Sequence, residues 1–209
     1  MKRIILLATC GALFSQSSLL AQTQAYSYWS AKATVGLNRS QNVEAILSSD
    51  GYGFACGFEL ERTFNPLWGI AGGYTFLDYS VYRQRGVAHE ITALTNLNLS
   101  NLVSTFRSEN WQKFNVYSSI GVGLSFYHAG SSNNTTIVIP FGVSAEYALS
   151  PRISLSLNGE RRWHTSRTMG FQDLGERAVL WSATVGLRFK FGSQQHIRNT
   201  PLDEYVGDL

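Results

Sequence analysis

Residues 177–191 read RAVLWSATVGLRFKF. Val179, Trp181, Ala183, Val185, Leu187, Phe189 and Phe191 occupy every second position. Leu180, Ser182, Thr184, Gly186, Arg188 and Lys190 lie between them, and most are small or polar. A period of two marks a strand with one apolar face and one polar face. The stretch is longer than an ordinary strand of about five or six residues and matches the roughly 9–11 residues that cross a bilayer at a tilt. It ends on aromatic side chains, as strands do at a membrane interface. The stretch predicts the closing strand of a transmembrane β-barrel.

The same alternation recurs upstream. Trp29, Ala31, Ala33, Val35 and Leu37 form one apolar row, and Tyr52, Phe54, Cys56, Phe58 and Leu60 form a second. Trp68, Ile70, Gly72, Tyr74 and Phe76 form a third. A fourth row, Ile91, Ala93, Thr95, Leu97 and Leu99, is weaker, and a bulge is expected at Ser100-Asn101. Phe114 to Phe126, Ile137 to Ala145 and Ile153 to Leu157 supply rows five, six and seven. Pro140 interrupts the sixth, because proline cannot donate to a ladder; a bulge or a rim position is expected there. Loops are expected over 39–51, 80–89, 129–134 and 165–176, with shorter turns between the other strands. The fold class is therefore all-β: an eight-stranded antiparallel up-and-down transmembrane β-barrel. Long connections at one end and short ones at the other place both chain ends in the periplasm of a bacterial outer membrane. Trp29, Trp68, Phe114, Tyr147 and Phe191 are expected at the periplasmic rim, and Tyr52, Tyr79, Tyr127 and Trp163 at the outer rim.

Composition agrees. Of 209 residues only 15% are charged, Gly numbers 19 and aromatics reach 13%. Met1-Lys2-Arg3, an apolar run to Phe14 and Leu19-Leu20-Ala21 have the layout of a cleaved signal peptide. Three segments result: signal peptide 1–21, barrel 22–191 and polar periplasmic tail 192–209. Once Lys2 and Arg3 are removed, 15 basic residues face 14 acidic ones, so no nucleic-acid-binding charge excess exists. Cys56 then has no partner cysteine and reads as a small residue on the lipid face. His89, His128, His164 and His196 lack metal-ligand spacing, so neither a metal nor a cofactor is expected.

Asn115-Val116-Tyr117 leading into Gly121-Val122-Gly123, the turn Leu149-Ser150-Pro151-Arg152 and the end Thr184-Val185-Gly186-Leu187-Arg188-Phe189 resemble the OmpA-type outer-membrane β-barrel domain family. The resemblance runs from about Trp29 to Phe191 and concerns the barrel; a peptidoglycan-binding domain is not expected. It implies outer-membrane lipid and the barrel-assembly machinery as partners, the latter reading the aromatic end of the last strand. A surface or periplasmic protein partner is a further expectation.

Three function classes follow. Lys32, Glu59, Glu61, Glu146, Glu160, Arg162, Arg188 and Lys190 have lumen parity, four acids and four bases. An eight-stranded barrel is narrow and filled by side chains, and buried charges must pair. An ion-pair network is expected, giving a barrel with a structural or surface-interaction role. The girdle would be Trp29, Tyr52, Trp68, Tyr147, Trp163 and Phe191. The second class is a narrow porin-like channel lined by Glu160 and Arg162. The third is a lipid-modifying enzyme at the outer rim, with Ser166 as nucleophile, His164 as base and Glu176 as orienting acid. The His-x-Ser spacing there is similar to that of the barrel lipid A deacylases.

Overall fold

The computed structural model describes residues 28–40, 52–81, 84–102, 113–129, 132–165 and 179–191. The expected signal peptide (1–21) and tail (192–209) lie outside the described residues, as do the turn expected at 107–112 and most of the loops expected over 39–51 and 165–176. Eight strands follow one another: β1 (Tyr28–Ser40), β2 (Tyr52–Thr63), β3 (Trp68–Val81), β4 (Gln84–Asn98), β5 (Phe114–Ala129), β6 (Ser132–Ala148), β7 (Ile153–His164) and β8 (Val179–Phe191). A single turn of helix, α1 (Leu99–Leu102), follows β4. Each strand pairs antiparallel with the next, and β8 closes on β1. The seam runs from Trp29 opposite Phe191 to Ser40 opposite Leu180. The end holding Tyr28 and Phe191 is the terminal end below; the other is the far end.

Burial is inverted relative to a water-soluble protein. Ile91 and Leu157 are each 60% exposed, and Ser30, Glu90 and Ser125 are fully covered. Apolar side chains facing outward and polar ones facing inward suit a wall immersed in hydrocarbon. Closure then satisfies every strand edge, which lipid could not do.

Side chains set the turns at the terminal end. Asn65 Oδ1 accepts from the backbone N–H groups of Leu67 (2.8 Å) and Trp68 (2.9 Å), bending β2 into β3. Asn98 Oδ1 accepts from Asn101 N at 3.2 Å and caps α1. Asn101 Nδ2 donates to Pro66 O at 2.6 Å, so α1 is tied to the β2–β3 turn. The disturbance expected at Ser100-Asn101 is this helical turn, not a bulge.

Several expectations are corrected. Only residues 82–83 separate β3 from β4, and only 130–131 separate β5 from β6. The loops expected over 80–89 and 129–134 are instead mostly strand, because the ladders continue to Val81↔Gln84 and Ala129↔Ser132. Two of the far-end connections are therefore only two residues long, and the long-versus-short asymmetry fails. Pro140 makes neither a bulge nor a rim position. The β5–β6 ladder stops at Ile120↔Phe141 and resumes at Gly123↔Val138 in the same register. Pro140 still pairs with Arg162 across β7, so the missing N–H falls on the β5 side alone. Tyr79 and Tyr127 do not join the outer girdle. They share parity with Leu77 and Ser125, and both rings are buried inside the barrel.

Candidate functional site

The lumen holds the polar chemistry of the barrel, and it is layered. At the terminal end Arg188 reaches across it from β8. Its Nε donates to Glu146 Oε1 on β6 at 2.8 Å. Its Nη1 bonds Glu61 on β2 and Ser30 Oγ on β1, the latter at 3.0 Å. Its Nη2 stands 3.6 Å from Glu59 Oε1. One planar fork thus ties four strands, a geometry that only guanidinium offers. Lys32 Nζ pairs with Glu59 Oε2 at 3.0 Å. Asn96 Nδ2 donates to Glu61 Oε2 at 2.8 Å and to Glu59 Oε1 at 3.3 Å, holding both carboxylates in place. Lys190 lies over the Tyr28 ring at 5.8 Å.

A second cluster sits toward the far end. Glu90 on β4 receives His164 Nε2 at 2.8 Å and stands 3.0 Å from Arg162 Nε, both from β7. That Arg162 contact is an ion pair rather than an aligned hydrogen bond. Arg162 also pairs with Glu160 and donates to Ser182 Oγ at 2.8 Å and Thr75 Oγ1 at 3.4 Å. Beyond this cluster the lumen turns apolar. Ala55, Leu77, Tyr79, Ala88, Tyr127 and Leu180 pack into one buried cluster. Gly86, directly across from Tyr79, makes room for its ring: a Cβ there would stand 2.8 Å from Tyr79 Cζ.

Lys32, Glu59, Glu61, Glu146, Glu160, Arg162, Arg188 and Lys190 all turn inward, Glu160 the least buried of them. Trp29, Tyr52, Trp68, Tyr147 and Phe191 are exposed on the outer surface. Trp163, half-buried there, stacks with Arg161 at 4.9 Å. Glu90 and His164 are lumen residues that escaped the sequence reading. Glu90 has the inward parity, one position before Ile91, but the expected fourth row began only at Ile91. His164 follows Arg162 by two, and its parity likewise points inward.

His164 is therefore corrected from the outer rim to the interior. It is fully buried, and its Nε2 bonds Glu90. Ser166 and Glu176 lie outside the described residues. Among the described residues, adding Glu90 makes five lumen acids against four lysines and arginines, and His164 joins Arg162 in holding the additional acid.

The sequence profile of the outer membrane protein beta-barrel domain family matches residues 6–189. Among solved structures, Neisserial surface protein A is similar at 17% identity and TM-score 0.52, over 79% of this chain and 97% of that one. A major outer membrane protein from Thermus thermophilus is similar at 14% identity and TM-score 0.54, over 79% of this chain and 99% of that one. At such identities the likeness shows a shared fold. No curated protein matches the sequence significantly.

Proposed function

Because the chain belongs to the outer membrane protein β-barrel domain family, we propose that it is a closed outer-membrane barrel with a structural or surface-interaction role. The layered lumen carries this reading. Two salt-bridged clusters and an apolar cap occupy the space through which a solute would pass. With the terminal end taken as periplasmic, the two longer far-end connections, 41–51 and 165–178, carry surface specificity. Outer-membrane lipid surrounds the wall, the barrel-assembly machinery inserts it, and a surface or periplasmic protein is its partner. The buried position of His164 supports a non-enzymatic reading, since a lipid ester would have to reach it.

Recording in planar bilayers tests the closed lumen: baseline current is expected, and large steady conductance would overturn it. Protease digestion of intact cells carrying an epitope within 41–51 tests the orientation. Cleavage of the epitope from outside is expected; protection would reverse the assignment.

A narrow channel is the second reading. A small cavity of about 30 Å³, with the charged Lys32, Glu59, Glu160 and Arg162 in its mixed lining, favours it. It has room for water. Small, brief conductance steps abolished by Arg162→Met would support that reading over the closed one.

A further inference from the structure

The outward face of β1–β5 is not a uniform apolar wall. Two cross-strand rows lie side by side there. One runs Trp29, Arg62, Ile70, Thr95, Ile120. The other runs Leu60, Gly72, Ala93, Val122. Gly72 and Ala93 are low points between the taller Leu60 and Val122. The rows enclose an open, mainly apolar groove of about 850 Å³. That lies in the range of about 300–1,000 Å³ typical of small-molecule sites.

The low floor is not demanded by packing within the barrel. A Cβ at Gly72 would meet no heavy atom within 4 Å. A glycine inside a strand weakens it, so an unforced one often marks the close approach of something else. Arg62, at one mouth of the groove, is the charged residue of its lining. It stands one residue before the end of β2, where the wall meets the interface, and lies over the Trp29 ring at 5.3 Å. A guanidinium over a ring keeps its in-plane N–H groups as donors that an anion can take up.

We infer that this groove is a fixed seat for one glycerophospholipid in the leaflet around the terminal end. An acyl chain lies over Gly72 and Ala93, and the phosphate accepts hydrogen bonds from Arg62. The lining asks for an apolar chain and its mouth asks for an anion, and a phospholipid joins the two at interface depth. A second copy of this chain is a poorer occupant. A two-fold contact through this face would bring the two Arg62 guanidiniums toward each other.

Native mass spectrometry tests the seat. The protein is extracted from vesicles of palmitoyl-oleoyl phosphatidylglycerol, or from vesicles doped with the matching diacylglycerol, which lacks phosphate. One retained phosphatidylglycerol per barrel is expected, with little diacylglycerol. Arg62→Gln lowers phosphatidylglycerol retention about tenfold, the effect of losing one charge-assisted contact. Gly72→Leu and, independently, Ala93→Leu fill the floor and lower retention of both lipids. Heat-dependent gel mobility verifies that each variant is folded, and if one is not, the other carries the test. Equal retention of the two lipids by the wild type, or unchanged retention in the folded floor variants, would overturn the seat. So would a dimer that Gly72→Leu dissociates.

Discussion

Arg188 lies directly across the β1–β8 seam from Lys32. Like charges opposite one another destabilise a sheet pair. Here they meet where the barrel closes, and Glu59 stands between them, 3.0 Å from Lys32 and 3.6 Å from Arg188. The seam is joined by a shared carboxylate from β2 as well as by its backbone ladder.

Glu59→Gln should expose that repulsion. Removing one partner of a buried ion pair costs about 3–5 kcal/mol. The variant should unfold at lower urea, read by loss of the heat-modifiable band on a gel. Adding Lys32→Met should recover part of the loss, since one of the two repelling cations is gone. An unchanged midpoint in Glu59→Gln would show that the seam does not depend on the carboxylate.

Arg188 itself should resist conservative replacement. It serves Glu61, Glu146 and Glu59 together, which an ammonium on a flexible stem cannot match. Arg188→Lys is expected to lose most of the stability that Arg188→Met loses, again about 3–5 kcal/mol by urea titration. Full rescue by lysine would mean that charge, not the planar fork, holds the four strands.

The apolar cap should control what the lumen passes. Leu77→Ala combined with Tyr79→Ala removes the bulk of the buried cluster at the far end. If the cap is the block, this variant conducts in planar bilayers and the wild type does not. Gly86→Val should act in the same direction by a different route, because its side chain displaces the Tyr79 ring. Silent bilayers for both would assign closure to the ion-pair clusters instead.

Phe189 and Phe191 meet edge to face at 4.9 Å on the outer surface of β8. Phe189→Asp should sharply reduce folded barrel in the outer-membrane fraction, and deletion of 192–209 should not. Interface-level charge costs only about 0–1 kcal/mol in lipid. Loss on that scale alone would be mild, so a severe defect would point to recognition during assembly. Loss of folded barrel on deleting 192–209 would place the end of the barrel elsewhere.

Alternation is local, so the sequence by itself determined eight strands, their two faces and the lumen parity of Lys32, Glu59, Glu61, Glu146, Glu160, Arg162, Arg188 and Lys190. The bounds of β7 were legible to the residue, because a proline turn and a polar loop frame it. The two-residue spacing of β3 from β4 and of β5 from β6 was not legible. Polar residues such as Arg85, His89 and Asn133 stand in strands there, near the far rim where polar groups remain compatible with the interface. Parity also says nothing of height along the barrel axis. Register and strand tilt set that height, and both are properties of the closed sheet. Only the tertiary structure could bring Arg188 to Glu61 and Glu146, join Glu90 to His164, and stack Leu77, Tyr79, Tyr127 and Leu180 into a cap.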